Sequence, residues 1–226
     1  MGLQEIKTYS NTIFDAKIMM HTNYKMSLFI FFVFLSNIGF CQSSARSIKL
    51  ICENFESKKI KVVTSENADH ALRIASYLFN SKEFQDSLSK RDFNYHNICD
   101  GCDSNKEKDK PRILGNEVLD KLFQKQEAKL RLILLKVGTP PIFGKCFGLG
   151  FTCPNTDKIT SYYKNINCDM SKELPFDYAY GVHLCHEYMH NIGYCHTDHI
   201  DDVAEATGWI AFYFINKWYK EGTRIP

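Results

Sequence analysis

The stretch HEYMHNIGYCH, residues 186 to 196, holds three histidines and one glutamate within eleven positions. On a helix, side chains four apart stand one turn above each other, so His186 and His190 project from one face and their imidazoles can meet a single ion. Glu187 is rotated about 100° from His186, which places its carboxylate beside such an ion, where it can take a proton from a metal-activated water. Gly193 can adopt a positive φ at the helix end and turn the chain sharply, bringing His196 back as a third ligand. Three neutral imidazoles with one open position form the catalytic style of zinc site, in which a water has its pKa lowered to about 7. A structural zinc site would instead close with four protein ligands, often cysteines.

Other residues compete for the third place. Asp198, His199, Asp201 and Glu205 follow closely enough to serve in place of His196, and a glutamate from the next helix would give a gluzincin type of site. His183, one turn before His186, reads as a hydrogen-bonded neighbour or cleft wall rather than a ligand. Cys185 and Cys195 flank two of the histidines but point elsewhere on a helix; they read as disulfides or core packing, and a bridge between them would brace the turn. Tyr178, Tyr180, Tyr188 and Tyr194 read as core or surface residues before they read as oxyanion donors.

Elements must hold this stretch in place. From Ser65, Ala71, Ile74, Ala75, Leu78 and Phe79 follow helical spacing. Asn80 with Glu83 reads as a capping pair that restarts a turn carrying Phe84 and Leu88. Residues 91 to 115, with CDGC at 99 to 102 and alternating charges, predict an exposed, cross-linked excursion. A local disulfide suits CDGC better than a redox pair, since no second CxxC follows. Asn116 to Ala128 predicts a short amphipathic helix through Val118, Leu119, Leu122 and Phe123. Leu130 to Val137 predicts a buried strand, and 147 to 151 and 159 to 163 further strands, separated by a Pro154 to Asp157 turn. The motif helix is expected from Phe176 to Ile192. A last helix is expected from Asp202 to Trp218, its stripe of Trp209, Phe212, Ile215 and Trp218 supporting the core. The fold class is therefore α+β: a small mixed sheet, an N-terminal helix, a helix carrying the motif and a C-terminal helix.

The 226 residues are 44% hydrophobic and 14% aromatic, which suits one globular domain. Ser27 to Phe40 is uncharged and apolar, follows Lys25 and gives way to small polar residues, the pattern of a secretory signal. Its core of about 14 residues is short of the roughly 20 that cross a bilayer. Residues 1 to 41 are read as leader and signal, and 42 to 226 as a single domain. Cutting there leaves eight of nine cysteines, an even number that favours disulfides in an exported protein. The net charge is +2 at pH 7, which does not point to a nucleic-acid partner.

HEYMHNIGYCH has the HExxHxxGxxH form and so resembles the metzincin zinc peptidases. Carried over position by position, the resemblance implies Zn2+ on His186, His190 and His196, Glu187 as general base, and a zincin-like fold. GLGFTCPNT, Gly148 to Thr156, with the strand before it, is similar to the edge-strand region of small secreted bacterial metallopeptidases of this clan. Metzincins carry a methionine turn beneath the metal, and no Met follows Met189 here; the segment Asp202 to Gly208 and the start of the last helix are expected to supply that floor. The expectation is a secreted, monomeric zinc peptidase acting on peptides or proteins, with no stable membrane insertion. A non-catalytic zinc-stabilised binding module and a zinc hydrolase of a non-peptide amide, such as a cell-wall link, are the alternatives.

Overall fold

A computed structural model of the chain describes residues 46–93, 97–98, 112–136, 148–170, 173–196 and 202–225. The leader, the signal run and CDGC lie outside the described residues. At the centre of the sheet is β5 (Glu127–Leu135; β1 to β4 are placed below), with parallel β1 (Lys49–Lys58) on one side and parallel β7 (Lys158–Tyr162) on the other. The short β6 (Gly150–Thr152) runs antiparallel to β7 and forms the outer edge, giving the order β1-β5-β7-β6. In β5 the side chains alternate. Ala128, Leu130, Leu132 and Leu134 are buried, while Glu127, Lys129 and Arg131 are exposed. The expected wholly buried strand at 130 to 137 is corrected accordingly: it begins three residues earlier, inside the stretch expected to be helical, and one face of it is wet. Charged residues at every second position allow nothing else.

Helices cover the other face. α1 (Ser65–Asn80) opens with Thr64, whose backbone N–H donates to the Asn67 carboxamide at 3.0 Å, and buries Ala71, Ile74, Ala75, Leu78 and Phe79, the spacing expected of it. Each such Leu, Ile or Phe contributes about 1.5–3 kcal/mol by leaving water. α2 (Lys82–Ser89) follows at once, and its cap differs from the expected pair: the Ser81 hydroxyl accepts from Phe84 N, because Ser81 is the residue with extended backbone. Asn80 instead clasps Ile48, accepting from its N–H at 2.8 Å and donating to its carbonyl at 2.9 Å.

Beyond α2, β2 (Asp92–Phe93) pairs with β4 (Ile113–Leu114), and α3 (Gly115–Leu122) starts from that pair. At the ends of the expected excursion Phe93 and Gly115 are buried, while Asp92, Arg112 and Leu114 are exposed. After β7 comes α4 (Tyr163–Met170), an element the sequence reading did not contain, as it did not contain β1.

The motif lies on α5 (Phe176–Asn191), within one residue of expectation. This helix runs between β6 and β7, α1 and the last helix, α6 (Val203–Lys220). It is buried on nearly every side from Ala179 to His190, the mark of a central helix. Gly181 lets α1 approach: a Cβ there would stand 3.0 Å from Ile74 Cγ2. At its first turn Asp177 pairs with His70 of α1 at 2.5 Å. On α6, Ala204, Thr207, Ala211, Ile215 and Trp218 face inward, whereas Trp209 is 65% exposed and Tyr213 63%. Trp209 is therefore not the core support expected of it, because the inward row of α6 runs along the other side of that helix. The described residues thus form an α+β unit of six helices and a small mixed sheet. No described helix is long and apolar enough to cross a membrane.

Candidate metal centre

His186 and His190, one turn apart on α5, and His196, beyond the turn that ends it, bring their imidazoles together. His190 Nε2 lies 3.1 Å from His186 Nε2 and 3.2 Å from His196 Nε2. The bend that returns His196 sits on Gly193, at φ 99°, whose N–H donates to the His190 carbonyl at 2.8 Å. Beyond it, β8 (Tyr194–Cys195) pairs with β3 (Asn97–Ile98), which fixes the approach of the chain to His196.

The outer nitrogen of each ring is held. His190 Nδ1 donates to the Tyr194 carbonyl at 2.6 Å, and His196 Nδ1 donates to Asp202 Oδ2 at 2.9 Å. His186 is hydrogen-bonded to the backbone of Ala204. A carbonyl or carboxylate accepts only, so the proton sits on Nδ1 and the lone pair on Nε2. Burial favours the neutral rings: it pushes His190 down to about 4, helped by neighbouring His196, and His186 well below its usual range. His196 alone is drawn upward, by the Asp202 carboxylate. The cluster therefore gathers Nε2 lone pairs at hydrogen-bond distance with no proton to share between them. Two imidazole nitrogens on one tetrahedral ion, at bonds of about 2.0–2.1 Å, stand about 3.4 Å apart. The three residues fit a metal ion, and they can hold one. Among the described residues no fourth His, Cys, Asp or Glu joins them. Glu205 lies outside the group, and Asp198, His199 and Asp201 lie outside the described residues.

The floor of the cluster comes from α6. Asp202 caps this helix, Oδ1 accepting from Glu205 N at 2.8 Å while Oδ2 holds His196. Gly208 packs on His186, and a Cβ there would stand 3.4 Å from its Nδ1. The segment Asp202 to Gly208 thus lies against His186 and His196. The segment starting at Asp202 is expected from the sequence; the division of its two oxygens between the helix cap and His196 is not, although a Ser, Thr, Asp or Asn just before a helix is a readable cap signal. Asp202→Ala is expected to weaken metal affinity about 10–100-fold, the range seen when the residue orienting a ligand is lost. Competition with a chromophoric chelator measures this. Asp202→Asn, which keeps a capping oxygen, should recover the thermal stability but not the affinity.

Glu187 is 3% exposed. Its Oε1 lies 3.7 Å from His183 Nδ1, and its Oε2 is buried without a hydrogen-bond partner. Burial pushes its carboxyl up to about 7, against the opposing pull of Thr152 on β6 and of His196. His183 stays outside the cluster. Its Nε2 is 3.1 Å from Ser161 Oγ of β7 and Tyr180 stacks on the ring, so it is the hydrogen-bonded neighbour expected. Gly150 of β6 makes room for it: a Cβ would stand 2.7 Å from His183 Nε2 and 2.4 Å from the Thr160 carbonyl.

Tyr180, Tyr188 and Tyr194 are core residues, and Tyr178 packs against Tyr219 and His70. Cys185 is a free, buried core thiol, so the bridge to Cys195 does not form; Cys185 faces the packed interior of α5. Cys195 is disulfide-bonded. Compared with protein-family models, with curated proteins and with solved structures, the chain matches none.

Proposed function

We propose that this chain is a secreted zinc peptidase of metzincin-like type. The observation that carries the reading is the pairing of three converging Nε2 lone pairs with a buried carboxylate oxygen that has no partner, on the residue next to the first histidine. A site serving only to stabilise the fold has no use for the second feature, since an unpaired buried carboxylate oxygen costs free energy. His186, His190 and His196 would hold the ion. Zinc in this setting supplies Lewis-acid polarisation of a peptide carbonyl and lowers the pKa of a water to about 7. Glu187 takes the proton of the attacking water and returns it to the leaving amine, a double task suited to a carboxyl held near neutrality. His183 and Thr152 flank that carboxylate and limit its rotation. The edge strand β6, which carries Thr152, aligns an extended substrate by adding it to the sheet. The apolar run Ser27 to Phe40 supports export.

The test is digestion of a defined peptide mixture by the purified chain, with its metal content measured on the same sample. Cleavage is expected, lost on chelation and restored by added zinc. Stoichiometric zinc with no cleaved peptide would leave the zinc-stabilised binding module or a non-peptide amide as the reading.

A further inference from the structure

At the C-terminal end of α5, a cleft of about 700 Å³ opens between the last turn of that helix, α3 and the start of β5. Ligand sites commonly occupy about 300–1,000 Å³. Its wall is built: Asn155 N donates to the Asn191 carbonyl, and the Asn191 side chain donates back to the Thr156 carbonyl. Lys121, Lys125, Lys129 and Arg131 line it against Glu127 and Asp157. Arg131 and Asp157 neutralise each other through a two-bond contact of 2.7 and 2.6 Å. Three lysines are left facing one acid, and among the described residues none of the three is ion-paired.

Lysines on a surface are ordinarily solvated and need no partner. Lys121 is different. It is half-buried, with its ammonium 4.5 Å from the centroid of the Tyr194 ring, and burial holds its pKa below the usual lysine range. The Tyr194 face offsets part of that charge, but the ammonium makes no hydrogen bond or ion pair to a described residue, so its N–H donors are open to an added acceptor. We propose that this cleft binds a polyvalent anion, presenting carboxylate or phosphate oxygens to Lys121, Lys125 and Lys129. The site is independent of the peptidase reading, although the two share Tyr194, whose carbonyl holds His190. The rival account is that Lys121, in the last turn of α3, merely offsets the carbonyl end of that helix, which requires no ligand.

The experiment is calorimetric titration of the full, zinc-loaded chain with inorganic pyrophosphate and, separately, with a hexaglutamate peptide. Saturable binding of at least one is expected, weakened roughly tenfold in K125Q/K129Q, whose two lysines are exposed. K121Q should weaken it similarly, and added salt should weaken all of it. Pyrophosphate alone binding would mark a phosphate ligand, and the peptide alone an acidic segment. The proposal is overturned if neither probe saturates, if K125Q/K129Q binds as tightly as the parent, or if binding disappears only on chelation, which would put the anion on the metal.

Discussion

Glu187→Gln is expected to keep its metal and lose about 10²–10⁴-fold in kcat, the range a positioned acid–base group supplies. Gln has the shape of Glu but cannot accept the proton, and its position is constrained by His183 at 3.7 Å and by Thr152. The ligands are untouched, so zinc content, measured by elemental analysis on the assayed sample, should equal that of the parent chain. Thermal stability should not fall either. In the chelated, metal-free chain burial disfavours the charged form of this carboxyl and raises it to about 7, so the neutral amide removes a penalty that builds as pH rises toward that value and is complete above it. Full activity with metal bound would remove Glu187 from the chemistry.

The second large effect falls on the ion itself. His190 touches both other histidines through Nε2 and is nearly buried, so His190→Ala removes the central ligand and orphans the Tyr194 carbonyl. Metal affinity should drop by more than about a hundredfold, beyond the 10–100-fold attached to losing a group that merely orients a ligand. The clearest readout is linkage. An ion present at about 100 times its Kd stabilises the folded chain by about 2.7 kcal/mol, so the parent should melt higher with zinc and lower with chelator. At the same zinc concentration the variant should retain about 0.4 kcal/mol of that stabilisation or less. An unchanged zinc-dependent shift in His190→Ala would place the ion elsewhere.

Much of this arrangement was legible because its signals are local. The helix bearing the motif, the apolar row of α1 and the glycine bend at 193 follow from spacing and backbone freedom within a few residues. What escaped depends on contacts far apart in sequence. β1 carries KLICENFESK, which buries only Leu50 fully and has a register shift between Cys52 and Asn54; its pairing with β5 makes it a strand, not its own pattern. The Asn80 and Ser81 roles interchange because Asn80 is claimed by Ile48, 32 residues away. In β5 the apolar run predicts full burial, whereas the alternation of Glu127, Lys129 and Arg131 states which face is wet. The apolar stripe of the last helix predicts Trp209 inward, but the inward row of α6 is set by where it crosses α5. Around the metal cluster the histidines were readable and their supports only partly so. Two of the three outer partners are backbone groups, at Tyr194 and Ala204, and a backbone group leaves no trace in residue identity. Asp202 was readable as a cap, but its second bond was not.

The described groups that hold the three rings, Tyr194, Asp202 and Ala204, and Gly208 beneath them, fall between residues 186 and 208. An ion seated there therefore clips a short stretch of chain, and closing a short loop returns little entropy to the molecule as a whole. Its grip is regional. Withdrawing it should fray the junction between the last two helices while the sheet, held by its own leucines, stays shut, so that one chain can alternate between a loaded and an idle condition without having to refold.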